Sequence, residues 1–183
     1  MSTNDHLGGW VPGGDGGTFS PDVWQELITH YNVRSVVDVG CAEGWNLAWF
    51  IQHKINGLGV EGDPAAFKNS PVRGFIHQHD YTSGPFKVAQ QIDLCWCSEF
   101  VEHVDQKYVQ NFIETFKCCR VVAMTHAVPG QGGHHHVNEQ PAKYWVDLLA
   151  KNGLAYNPQV TMALRKIGRG YVKASLLLFE NNI

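Results

Sequence analysis

The sequence predicts an α/β domain built on a doubly wound, mostly parallel sheet, and three observations predict it. First, Ser35 to Val39 is β-branched and apolar, as a strand buried on both faces should be, and it runs into the turn Gly40-Cys41-Ala42-Glu43-Gly44. Second, a short apolar run, Leu58-Gly59-Val60-Glu61, ends in an acid 23 residues after Asp38. Third, strand-like and helical segments alternate along the chain, the order that gives a parallel sheet, and end in two strand-like runs. At 183 residues the chain suits one domain with a substantial core.

We divide it into a flexible Gly-rich segment, residues 1–19, and a domain over residues 20–183. Gly8-Gly9-Trp10-Val11-Pro12-Gly13-Gly14 is mobile by composition. It is read equally well as a lid carrying one Trp or as a disordered tail. Ser20-Pro21 opens a helix over Asp22 to Tyr31, with Ser at the cap and Pro in the first turn.

After the first strand, Gly40 and Gly44 allow close approach of backbone to a ligand. Trp45 to His53 then reads as a helix with Leu47, Ala48 and Ile51 on its sheet side. A ligand belongs at the strand's carboxyl end. It is not a dinucleotide of the usual kind, because the third and sixth glycine places hold Ala42 and Trp45. No phosphate-loop motif G-x-x-x-x-G-K-[ST] occurs in the chain.

The segment Asp38 to Gly44 resembles the first motif of the class I S-adenosylmethionine-dependent methyltransferases, roughly D-x-G-x-G-x-G. Gly40, Ala42 and Gly44 stand in the glycine places, and Ala42 departs from the pattern. The resemblance implies a Rossmann-like fold, S-adenosylmethionine as cofactor and methyl transfer. It assigns Asp38, Gly40, Cys41, Ala42 and Gly44 to the cofactor site.

Glu61 falls at the offset where nucleoside-binding α/β folds place a carboxylate on the ribose hydroxyls. By resemblance it is the ribose acid, and the nearby Asp63 reads as the start of an Asp-Pro helix. Gly74 to Tyr81 reads as a strand and loop. The resemblance puts Asp80 on the adenine amino group and Tyr81 beside the ring, against the plainer reading of Asp80 as a turn cap. Gln91 to Cys97 is the fourth strand, and its tip, with Ser98 and Glu99, would face the methionine part of the cofactor. Asp93 lies at the far end of that strand and is structural.

Glu99, Glu102 and His103 are spaced to share one helical face. Two carboxylates and an imidazole can bind a divalent cation. The same E-x-x-E-H spacing occurs in ubiquinone-biosynthesis O-methyltransferases and small-RNA 2′-O-methyltransferases, where it is associated with a metal. His134, His135 and His136 are the candidates to complete such a site. Against this, carboxylates in a first helical turn are favoured by the helix dipole alone. Metal-free methyltransferases carry E-H here too. A divalent metal is thus weighed but not assigned.

Val121 to His126 is the fifth strand, and a long Gly- and His-rich loop follows to Pro141. Such loops at the ligand end of a sheet are usually functional. Imidazole is the natural base near neutral pH. We take His126, at the strand tip, and His136, on the loop, as the catalytic candidates, against a merely solvated loop. Pro141 to Asn152 reads as a helix ended by Gly153. Gln159 to Arg165 and Tyr171 to Glu180 read as a hairpin across Gly168-Arg169-Gly170. The resemblance inserts the last strand antiparallel between strands five and six.

A net charge of −3, with no basic stripe, argues against a nucleic-acid partner. Five cysteines in no framework spacing suggest a reducing compartment, and no signal peptide or membrane span is visible. The expected location is the cytoplasm. Strand four ends in Cys97-Ser98-Glu99 and lacks the D-P-P-Y or N-P-P-Y signature of amino-group methylators. This favours O-methylation of a small molecule or a sugar hydroxyl. The competing readings are a metal-assisted RNA 2′-O-methyltransferase, an inactive cofactor-binding scaffold, and a nucleotide-dependent oxidoreductase. The oligomeric state is not set by these features.

Overall fold

A computed structural model describes residues 5–181. Its helices and strands are α1 (Pro21–Tyr31), β1 (Ser35–Val39), α2 (Trp45–Gln52), β2 (Asn56–Glu61), β3 (Ile76–Gln78), β4 (Ile92–Cys97), α3 (Val109–Phe116), β5 (Cys119–Met124), α4 (Ala142–Lys151), β6 (Leu154–Tyr156), α5 (Pro158–Ile167), α6 (Gly170–Ser175) and β7 (Leu177–Asn181). They form a seven-stranded sheet of order β3-β2-β1-β4-β5-β7-β6. The strands from β1 to β5 pair in parallel, and β7 runs antiparallel to both β5 and β6.

Strand alternation divides the core into two layers. Val37, Val39, Cys95 and Cys97 face one side, packed with Phe112 and Phe116 of α3 and Trp145 of α4. Val36, Leu94 and Trp96 face the other, against Trp24 of α1 and Phe50 of α2. A period of two along each strand sends neighbours to opposite faces, which is why these strands read as unbroken apolar runs. The order reverses between β1 and β4, where successive connections leave in opposite directions. That opens a crevice at the strands' carboxyl ends.

The resemblance placed the last strand correctly, antiparallel between β5 and β6. The proposed hairpin is corrected. Its first arm, Gln159 to Arg165, is helix α5, and residues Gly170–Ser175 form α6. The strand that pairs with β7 as its hairpin partner is β6, with both helices in the connection. Asn157 starts α5, its side chain accepting the Val160 amide at 3.0 Å, and Pro158 occupies the first turn. Thr161 and Leu164 are buried one turn apart, so the alternation read as a strand is a helical stripe.

Ser20 stands at the N-cap of α1 as expected, but its hydroxyl makes no capping bond. Residues 6–19 run along the crevice and most of them line it, while residues 1–4 of the Gly-rich segment lie outside the described residues. All five cysteines are free. Among the described residues, no helix is long and apolar enough to cross a membrane.

Candidate active site

The crevice widens into a cavity of about 1000 Å³. Its floor is the turn after β1 and the tips of β2 and β4. Its far wall carries His103, His134 and His136, and residues 6–19 cross its mouth.

Gly40, Cys41, Ala42 and Glu61 all border the cavity. Gly40 has φ 71°, and a Cβ there would meet the Phe100 ring at 2.5 Å. Ala42 also takes the left-handed conformation, at φ 48°. Glu61 is held at both carboxylate oxygens: Oε2 accepts the Ala42 amide at 2.9 Å and Oε1 accepts the Asp63 amide at 2.9 Å. Each oxygen keeps a lone pair, the arrangement a vicinal diol needs. Burial raises the Glu61 pKa, and these backbone donors partly offset it.

Asp38 and Gly44 support the site from outside the cavity lining. Asp38 is buried under the turn, one carboxylate oxygen has no partner, and its pKa is raised to about 7 by burial and then by the Glu61 charge. Gly44, at φ 77°, starts α2, and a Cβ there would meet Val72 at 2.8 Å. Asp93 behaves as a structural acid, accepting the Arg34 and Ser35 amides at 2.8 and 3.0 Å.

Asp80 borders the cavity and also caps its own turn, accepting the Thr82 amide and hydroxyl, both at 2.8 Å. A third donor comes from His6, whose Nε2 lies 2.9 Å from Asp80 Oδ2. Tyr81 differs from expectation. Its residue borders the cavity, yet its ring is in the core, edge-on to Phe100 and Phe112, and its hydroxyl is 2.9 Å from Thr115 Oγ1. That hydroxyl would otherwise be buried without a partner, so the Thr115 bond commits the ring inward. Asp63 accepts the Ala65 amide at 2.8 Å, as the start of an Asp-Pro turn should.

On the far wall, the shared helical face is corrected. Glu99 is not helical but left-handed at φ 51°. Its amide donates to Thr125 Oγ1 and that hydroxyl donates back to Glu99 Oε1, both at 2.7 Å. Only a single 3₁₀ turn, Val101–His103, follows. The side chains converge all the same. Glu102 is fully buried with no partner on either carboxylate oxygen, and His103 Nδ1 is buried and equally unpartnered.

The loop after β5 brings His136 to them. The Val137 and Asn138 amides donate to the Glu102 carbonyl at 3.0 and 3.1 Å, fastening the loop onto the 3₁₀ turn. One ligand atom each from Glu102, His103 and His136 lies within 4.8 Å of the others. His136 Nδ1 is 3.1 Å from Glu139 Oε1. Burial, then the Glu99 charge, pushes Glu102 up to about 8. Burial, then the neighbouring His136, holds His103 down to about 4.

A buried carboxyl with no hydrogen-bond partner is costly as an anion, so Glu102 either keeps its proton, as its raised pKa implies, or meets a cation. A mixed carboxylate and imidazole set of this size fits a divalent cation such as Mn²⁺, Fe²⁺ or Zn²⁺. Of the glutamate–glutamate–histidine pattern legible in the chain, Glu102 and His103 stand in the cluster and Glu99, bound to Thr125, does not. That His136, rather than its two neighbours, joins them was not legible.

His126 is corrected as a catalytic candidate. It is 2% exposed and does not border the cavity. The carboxyl end of β5 is covered by α6, whose Ser175 hydroxyl accepts the His126 amide at 3.3 Å. Sequence reasoning also missed Tyr171 and Asp15 at the cavity wall. The aromatic near two glycines was the available signal, hidden by the strand assignment.

Known proteins share parts of this sequence and its fold. Residues 37–123 match the family described as "Methyltransferase domain". Over that stretch, a little under half of its length, the chain resembles a methyltransferase domain. Its fold is shared with the sugar N-methyltransferase KedS8 of Streptoalloteichus sp., at TM-score 0.71 and 16% identity over 96% of this chain and 94% of that one. The methyltransferase domain of bacterial CtHen1-C aligns at TM-score 0.62 and 15% identity, over 88% and 97%. The Burkholderia thailandensis 1,6-didemethyltoxoflavin-N1-methyltransferase, solved with S-adenosylhomocysteine, aligns at TM-score 0.62 and 12% identity, over 88% and 77%. No curated protein matches the chain in sequence. At these identities the methyltransferase neighbours share the fold alone.

Proposed function

We propose that the protein transfers the methyl group of S-adenosylmethionine to a hydroxyl oxygen of a small molecule or sugar. The carrying observation is one cavity with Glu61 at one end, both its carboxylate oxygens held by backbone amides, and His103 and His136 at the other, with the buried Glu102 carboxyl behind them. A methyl transfer needs donor and acceptor aligned in one enclosure, where proximity supplies much of the rate. A cavity of about 1000 Å³ is at the upper end of small-ligand sites and has room for both.

Glu61 holds the ribose, the turn Gly40 to Ala42 passes under the methionine part, and Ser98 and Glu99 border the methyl position. Asp80 meets the adenine edge with its remaining acceptor capacity. A hydroxyl acceptor must lose a proton as the new bond forms. His103 is held neutral by burial, so it is a free base at neutral pH. His136, if it donates Nδ1–H to Glu139, keeps a lone pair on Nε2. A divalent cation held by Glu102, His103 and His136 would take up those imidazole lone pairs, and its Lewis acidity would then replace the histidine base in lowering the acceptor's pKa.

The likeness to a sugar N-methyltransferase lends support to a sugar-sized acceptor. A second reading, metal-assisted methylation of an RNA 2′-hydroxyl, is favoured by the Glu102, His103 and His136 cluster. It is opposed by the net charge of −3. Free thiols support the proposed cytoplasmic location.

The test is thermal stabilisation by S-adenosylmethionine and S-adenosylhomocysteine with NAD as control, then transfer of labelled methyl to a panel of sugars and phenols with and without Mn²⁺. Stabilisation by NAD alone, or by none of the three, would overturn the reading. Transfer to hydroxyls that disappears in His136→Ala would support it.

A further inference from the structure

The segment that crosses the cavity mouth is fastened at its donor end by three polar hooks. His6 Nε2 is 2.9 Å from Asp80 Oδ2, Trp10 Nε1 donates to Asp63 Oδ2 at 2.9 Å, and the Gly13 amide donates to Glu43 Oε2 at 2.9 Å. Every hook lands on a loop that builds the donor site: Asp80 beyond β3, Asp63 two residues from Glu61, and Glu43 within the turn after β1. Between hooks, Leu7 lies so close to Gly62 that a Cβ there would sit 2.6 Å from its methyl carbon. Apolar anchoring is limited to Leu7 and to Phe19, which is edge-on to Trp24 yet 41% exposed, while Val11 is 49% exposed. A segment held by separate polar contacts and little buried apolar area belongs to the low-stability, locally opening end of a structure.

We propose that His6 and Trp10 are donor-positioning residues on a strap that must lift for the donor to pass and then closes over it, so that donor binds before acceptor. The inference rests on the donor reading above. The strap's later part explains the order. Its Gly17 carbonyl accepts the Tyr171 amide at 3.2 Å, and its Asp15 borders the cavity together with Tyr171 and Glu99. The acceptor end therefore has its full wall only when the strap is down. At Gly9, φ is +114° and a Cβ would meet His103 at 2.8 Å, so the closed strap lies directly on the histidine cluster. An acceptor seated first would be shut in with the donor site empty and the strap hooked to Asp80.

The test uses the full chain and S-adenosylhomocysteine as probe, with association and dissociation followed by stopped-flow Trp fluorescence. The variants are H6A/W10A, the milder Trp10→Phe, which keeps a ring and loses the donor, and Met162→Ala on the exposed face of α5 as control. A gate that opens more often should speed both association and dissociation, each by at least about tenfold in the double variant. The probe should also protect the wild-type strap from limited proteolysis. Trp10→Phe should shift both rates the same way if the double variant is too unstable to study.

Unchanged rates in a folded variant that binds the probe overturn the strap and leave the donor reading standing. Faster dissociation with unchanged association also overturns the gate, because it describes a wall that does not move. A wild-type chain that fails to bind the probe overturns the donor reading and this inference with it.

Discussion

The Glu61 carboxylate and the Ala42 amide meet at 2.9 Å, and that bond ties the tip of β2 to the turn after β1. The residue proposed for the donor's ribose thus also sets the shape of the turn after β1. Glu61→Gln preserves the volume but puts an amide donor against either a backbone N–H or the ribose hydroxyls. Hydrogen bonds to a charged group contribute about 1.5–3 kcal/mol, so S-adenosylhomocysteine affinity should fall roughly tenfold to a hundredfold by titration calorimetry. Affinity within twofold of wild type would remove Glu61 from the donor site.

Ala42 departs from the glycine of the resembled motif and carries the conformational cost, at φ 48°. A left-handed L-residue costs about 1–2 kcal/mol, while glycine adds about 0.5–1 kcal/mol of unfolded-state entropy. Ala42→Gly should therefore leave the protein unchanged or stabilise it by up to about 1 kcal/mol, raising Tm by roughly 2–4 °C at most. Thermal melts of the two proteins decide it, and a lower Tm contradicts the strain.

Asp38 makes stability depend on pH in an unusual direction. Its folded pKa, about 7, lies above the ordinary 3.8, so between those values the folded state holds a proton that the unfolded state has released. Stability from this group is complete at low pH and declines as pH rises through that window, by an amount on the order of a few kcal/mol. The difference between wild type and Asp38→Asn in denaturant midpoint should widen from pH 4 to pH 7. A difference that is flat across the window would refute the assignment.

A cation at Glu102, His103 and His136 should reveal itself without any acceptor. Mn²⁺ at a hundred times its dissociation constant would stabilise the fold by about 2.7 kcal/mol, seen as a higher Tm. Glu102→Gln and His136→Ala should each abolish that rise. A rise that survives both variants would locate the ion elsewhere.

The parts legible in the chain were those whose signals are local. Ser35 to Val39, the glycine turn and Glu61 announce themselves through strand composition, turn chemistry and a fixed offset, and all fall where the crevice needs them. Gln159 to Arg165 failed because its alternation fits either a strand or a helix, and only the Asn157-Pro158 start and burial of Leu164 separate the two. His126 looked well placed because a strand tip faces the ligand in this topology. The cover that α6 puts over it depends on the far end of the chain. The strap was ambiguous for the same reason, since its hook from His6 to Asp80 spans 74 residues.

The placement of β7 sets a timetable for the ribosome. β5 is synthesised more than fifty residues before the segment that covers its free side, yet Val121 to Met124 pairs with Leu177 to Glu180 along that edge. Until those residues emerge, the nascent sheet shows an apolar, unpaired border of the kind that recruits neighbouring chains. The order of synthesis and the order of closure therefore run against each other: a stretch made after β6 is not a rim of the sheet but an interior plank. Conditions that slow or shorten translation near that point should betray themselves as aggregation long before they show as lost catalysis.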